Sequence, residues 1–185
     1  MKDWDIKINY GIKTGFNEAF IINSIKRQEL LDKCPKADSI IRPILRGRDI
    51  QKYSNEYANL WLIYIPWHFP FHNDSTIKGV SIEAEKEFQI LYPAIYEHLL
   101  NYKIELSQRN KSETGVRYEW YALQRFGSNY MEDFSKQKIV WKRIGSVLRF
   151  SYDNSGAFCL DSTCFATGQD IKFLVGYLNS TVSKR

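Results

Sequence analysis

Cysteine is scarce in this chain: three among 185 residues, Cys34, Cys159 and Cys164, with no Cys-x-x-Cys spacing. An odd number so spaced offers neither a disulfide framework nor a structural zinc site, so reduced, buried thiols and a cytoplasmic setting are expected. Long apolar runs are missing as well. No stretch approaches the roughly 20 residues of a membrane span, and the N-terminus does not read as a signal peptide. Histidine is limited to three. His68 and His72 stand four apart, but Pro70 between them prevents a helical metal pair, and no neighbouring acid or thiol completes a site. There is no glycine-rich dinucleotide or phosphate loop, no Gly-x-Ser-x-Gly and no His-Glu-x-x-His. These absences remove the commonest signatures of nucleotide, acyl-transfer and zinc chemistry.

What is present is positive charge and aromatic surface. Lys and Arg number 26 against 21 Asp and Glu, a net charge of +5 that suits an anionic partner without requiring one. Aromatics make up 15% of the chain and several adjoin basic residues, as Trp141 adjoins Lys142 and Arg143, although most are expected in the core. A chain of 185 residues is long enough to bury a core as one domain.

Periodicity predicts a mixed α/β domain with a mixed or antiparallel sheet flanked by helices. Trp4, Ile6, Ile8 and Tyr10 alternate with polar residues as in a half-buried strand, and Ala19 to Ile22 reads as a second strand. Ser24 is a candidate cap for a helix to about Lys33, ended by Cys34-Pro35, and a short helical turn is expected before Arg42. Leu60 to Ile65 is a dense apolar strand. The following loop, Pro66 to Lys78, is either an interaction loop or a lid packed on the core, and its interleaved His, Asn and Asp residues favour interaction. Helices are expected over Ser81 to Leu91, anchored by Ile82, Phe88, Ile90 and Leu91, and from Pro93 to about Arg109, where Ile95, Leu99, Tyr102 and Leu106 share a face. Lys138 to Ile144 and Val147 to Tyr152 form a predicted hairpin around Gly145-Ser146. A strand or pair of strands in Phe158 to Phe165 and a helix from Gln169 to Leu178 complete the chain.

Two short segments carry the strongest functional signal. In Gly11 to Phe20, two glycines bracket a tight loop; either its Lys13, Thr14 and Asn17 donate to phosphates, or its Thr14 and Asn17 side chains close the turn on its own backbone. In Pro43 to Tyr53, Arg46 and Arg48, with Arg42 just before, crowd a bend made by Pro43 and Gly47. Either they fork onto phosphates or guanine edges, or Asp49 ties one into an internal ion pair. Farther on, Gln108 to Arg117 is polar, basic and glycine-containing. Its Arg109, Asn110, Lys111 and Arg117 are base-edge readers, or the segment is a solvated helix end. Lys142 and Arg143 lie on opposite faces of the hairpin strand; Arg143 and Arg149 either flank a groove-facing surface or, more simply, belong to an exposed polar face.

These two segments, followed by Tyr92 to Leu100, Trp120 to Arg125 and Lys138 to Trp141, resemble the TaqI-like C-terminal specificity domain. The resemblance spans nearly the whole chain in the expected order. It implies that 1–185 is a target-recognition domain within a larger bacterial restriction-modification polypeptide. Such a domain binds duplex DNA and presents an adenine to a methyltransferase domain in cis. The Asn-Pro-Pro-Tyr motif of adenine methyltransferases and a loop for S-adenosylmethionine are absent, so the chain is expected to be non-catalytic, with that cofactor and Mg²⁺ confined to the parent's catalytic domains. Asp170-Ile171-Lys172 has the acid-x-lysine spacing of a restriction nuclease, but the lysine beside an apolar residue fits a helix surface better. On this reading Lys13, Arg46, Arg48 and Lys142 hold phosphates, while Arg109, Asn110, Lys111 and Arg117 read bases.

Overall fold

A computed structural model describes residues 5–145 and 147–181. Trp4, Ser146 and the terminal Ser183-Lys184-Arg185 lie outside the described residues. The chain is mixed α/β, as expected. Its strands are β1 (Lys7–Tyr10), β2 (Ile21–Asn23), β3 (Ile41–Leu45), β4 (Leu60–Ile63), β5 (Lys138–Lys142), β6 (Phe150–Asp153), β7 (Phe158–Cys159) and β8 (Thr163–Thr167). The α-helices are α1 (Asn17–Phe20), α2 (Ser24–Lys33), α3 (Ile82–Leu91), α4 (Pro93–Leu100), α5 (Lys103–Gln108) and α6 (Ile171–Asn179). None of these helices is long and apolar enough to cross a membrane.

The described residues fall into two compact units. The first takes in 5–12, 43–59 and 127–181, and the second 13–42 and 60–126. In the first, an antiparallel sheet runs β1-β8-β5-β6. One face of it takes Ile171, Leu174 and Val175 of α6 against Ile139, with Trp141, Phe150 and Tyr152 alongside. Phe134, from a short 3₁₀ turn, stacks on Phe158 at 4.5 Å and meets Phe165 at 4.7 Å, and the end of β3 pairs in parallel with β7. The predicted hairpin is present, with Trp141 opposite Phe150.

One cross-strand pair in this sheet is ionic. Lys138 and Asp153 stand opposite one another on β5 and β6, 2.6 Å apart, both with fully buried side chains. Lys138 Nζ also donates to Phe134 O at 2.6 Å, and Tyr57 Oη donates to Asp153 Oδ1 at 2.5 Å. Burial pulls the Asp153 carboxyl up, but the lysine and the hydroxyl donors outweigh it and hold the group below its ordinary range. Burial and the same carboxylate push Tyr57 up to about 12.

In the second unit β2 pairs antiparallel with β4, Ile21 opposite Leu62, and the helices enclose an aromatic core in which Phe88 stacks on Tyr121 at 4.7 Å. Four expectations need correction here. Asn17 to Phe20 is a helical turn, and the second strand begins only at Ile21. Asn23, not Ser24, caps α2, accepting from Lys26 N at 2.8 Å. Ile82 and Ile90 are 63% and 71% exposed, because Ala84 and Phe88 define the buried face of α3 and residues two positions away lie about 200° round the helix. The long helix from Pro93 breaks at Asn101, whose side-chain amide donates to Glu97 O and His98 O, carbonyls that a continuing backbone would have used. The apolar stripe survives that break, with Ile95, Leu99 and Leu106 all fully buried.

The first half of the aromatic loop is packed, while Phe71 to Thr76 are exposed. Trp67 stacks on Tyr118 at 4.7 Å and donates to Leu123 O at 2.8 Å, and Phe69 is buried. His68 N donates to Glu119 Oε2 at 2.8 Å and its Nδ1 lies 3.0 Å from Oε1, so a fully buried acid 51 residues away is its partner.

Candidate nucleic-acid interface

The glycine loop owes its shape to close packing. A Cβ at Gly11 would fall 2.0 Å from Leu160 O. At Gly15, whose φ is +80°, it would fall 2.7 Å from Arg109 Cδ. Thr14 is buried, its hydroxyl donating to Asn17 Oδ1 at 2.7 Å, so the turn closes on itself. Thr14 is therefore not available to a phosphate. Asn17 is exposed, and Lys13 is exposed with its ammonium unpaired among the described residues, while its backbone exchanges two 3.0 Å hydrogen bonds with Arg125.

Arg109 is the largest correction in the candidate site. Its Nε donates to Leu106 O at 3.0 Å, Nη2 to Trp120 O at 2.7 Å and Ala122 O at 2.8 Å, and Nη1 to Thr14 O. Burial pulls its pKa down to about 10, leaving it cationic at neutral pH. A guanidinium spent on four carbonyls has no fork left for a guanine edge. The next residues are committed locally. Asn110 Nδ2 donates to Glu113 Oε2 at 2.7 Å, and Glu113 Oε1 pairs with Arg117 at 2.9 Å, while the Arg117 guanidinium lies 5.3 Å over the Trp67 ring. Arg117 stays 59% exposed, and a surface pair of this kind is weak enough to be exchanged. Lys111 is exposed and unpaired among the described residues.

In the first unit the arginine bend behaves differently at its two ends. Arg46 closes on Asp49, Nη2 to Oδ1 at 2.7 Å and Nε to Oδ2 at 3.0 Å, while its backbone N–H donates to the same carboxylate at 2.8 Å. It serves the turn, so its assignment to phosphate is corrected. Arg48, two residues on, is exposed and unpaired among the described residues. The bend lies against the end of β5: a Cβ at Gly47 would stand 3.1 Å from Lys142 Cγ, and Gly47 N donates to Ser162 Oγ at 3.1 Å. Lys142 is exposed and unpaired among the described residues, and Arg143 is exposed with its guanidinium 5.4 Å over the Tyr10 ring. Arg149 Nη1 donates to neutral Gln51 Oε1 at 2.8 Å. Thus Arg48, Lys142 and Arg143, assigned from sequence, share one neighbourhood with Arg149 and with Lys52, which the sequence reading did not assign. The one carboxylate within the bend, Asp49, is consumed by Arg46.

Residues 42–185 match the family described as the TaqI-like C-terminal specificity domain. Over 180 residues the chain is 22% identical to the Type II methyltransferase M.MjaIV of Methanocaldococcus jannaschii, covering 95% of this chain and 54% of that protein. Among solved structures it is similar to the Type IIL restriction-modification enzyme MmeI in complex with DNA, with a TM-score of 0.57 and 11% identity over 95% of this chain and 21% of that one. The chain thus spans about half the length of the methyltransferase and about a fifth of the solved enzyme.

Proposed function

Because the chain belongs to the TaqI-like C-terminal specificity domain family, we propose that it reads a short sequence in duplex DNA for a methyltransferase domain of the same polypeptide and presents the target adenine there. The observation that carries this reading is the group of exposed cations at the arginine bend that have no carboxylate partner among the described residues: Arg48, Lys52, Lys142 and Arg143. Lysines and arginines freed of internal acids are suited to phosphates. Lys13 and Lys111 are candidates of the same kind in the second unit, with Asn17 beside the glycine loop, while Asn110 and Arg117 reach bases only by giving up Glu113. The reading assigns no chemistry to this chain, places S-adenosylmethionine and Mg²⁺ in catalytic domains of the parent, and locates the whole in a bacterial cytoplasm.

Selection from a pool of random duplexes tests it, and one short sequence is expected to be enriched. Arg48→Ala and Lys142→Ala are each expected to weaken binding to every duplex alike and to reduce the slope of log affinity against log salt by about 0.9. Binding that ignores salt, with no sequence enriched, would favour a protein partner instead.

A further inference from the structure

Tyr53 holds a backbone conformation that tyrosine rarely adopts. Its φ is +73°, in the left-handed region where a Cβ crowds the following carbonyl and glycine is the usual occupant. The surrounding chain imposes it. Tyr53 N donates to Phe150 O at 3.0 Å, Gln51 N donates to Ser54 O at 3.0 Å, and Ile50 bridges to Asn55. Glycine would satisfy the same turn without strain, so the backbone gives no reason for an aromatic residue here.

Packing gives none either. The residue is 50% exposed, its hydroxyl has no hydrogen-bond partner among the described residues, and its ring meets the Lys52 ammonium at 5.2 Å. Lys52 has no carboxylate partner among the described residues. Arg149 is held beside the same turn by Gln51, and Arg48 precedes it. A strained residue that presents a phenol to solvent between cations points to a function outside the fold.

Building on the DNA reading above, we propose that Tyr53, Lys52 and Arg149 clamp the sugar-phosphate backbone of one strand. The Tyr53 hydroxyl donates to a phosphate oxygen, its ring lies on the deoxyribose, and the two cations neutralise the phosphates on either side. The clamp sets register and carries no sequence information.

The test compares the protein with Tyr53→Gly, Tyr53→Phe and Lys52→Ala, by thermal melting and by fluorescence anisotropy on the selected duplex and on unrelated duplexes across a salt series. Tyr53→Gly is expected to melt about 2 to 4 °C higher, because strain is relieved. It should also bind every duplex about tenfold more weakly, with its salt slope unchanged, since the lost side chain is neutral. Tyr53→Phe keeps the strain and loses only the hydroxyl, so a smaller loss of about threefold is expected. Lys52→Ala is expected to flatten the slope by about 0.9. The clamp is overturned if Tyr53→Gly binds as the parent does, if it loses affinity for the selected sequence alone, or if it melts lower and so reveals a packing role. A parent that binds no duplex at any salt would overturn the DNA reading itself, an outcome distinct from these three.

Discussion

Lys138→Ala is expected to destabilise the protein by about 3 to 5 kcal/mol at neutral pH, the scale observed when one partner of a buried ion pair is removed. The ammonium sits 2.6 Å from Asp153 with neither side chain exposed, and it also supplies a donor to Phe134 O. Without it the buried carboxylate keeps, among the described residues, only Tyr57 and Ser155 as partners. The expected pH dependence follows from the direction of the Asp153 shift. A carboxyl held below its unfolded value contributes stability that is fully present above about pH 4, the unfolded value, and is lost as pH falls through the folded value. In Lys138→Ala burial acts unopposed by the lysine, so Asp153 takes up a proton more readily and the gap between variant and parent should narrow on acidification. Urea denaturation at pH 7 and pH 4 measures both effects. A constant gap would show that the lysine acts through packing rather than charge.

Arg109→Ala is the second large effect expected, at least about 3 kcal/mol, because one hydrogen bond to a charged donor is worth about 1.5 to 3 kcal/mol and four carbonyls lose theirs together. The carbonyls belong to Thr14, Leu106, Trp120 and Ala122, so the substitution should loosen the glycine loop and the end of α5 at once. Hydrogen exchange should show Gly15 and its neighbours losing protection. The sequence preference of the molecules that remain folded should not change. A variant that kept parental stability but bound cognate and non-cognate duplexes alike would restore Arg109 as a base reader.

Local pattern carried much of the fold. The apolar stripe of Ile95, Leu99 and Leu106, the hairpin of β5 and β6, the turn before Arg42 and the buried face of α6 could all be read from spacing, because each depends on residues within a few positions of one another. Spacing did less well where a side chain competed with the backbone, as Asn101 does by capping α4. It also failed where two faces of one helix were both apolar, as in α3 with Ile82 and Ile90. The first half of the aromatic loop misled for a different reason. Its polar residues suggested an outward role, but the acid that receives His68 is Glu119, which lies far along the chain.

The candidate site divides in the same way. By itself the sequence determined the family resemblance, the basic character and the residue types of the arginine bend, since glycines, a proline and closely spaced arginines restrict what the chain can do locally. Only the tertiary structure decided which cations are free. Arg46 and Arg109 look from composition no different from Arg48 and Lys142. Folding commits the first two, to Asp49 and to four carbonyls, and leaves the second two without a partner among the described residues. A cation held by several buried acceptors is not available to a partner, and the fold decides which acceptors reach it: Asp49 lies three residues from Arg46, but Thr14, whose carbonyl helps hold Arg109, lies 95 away.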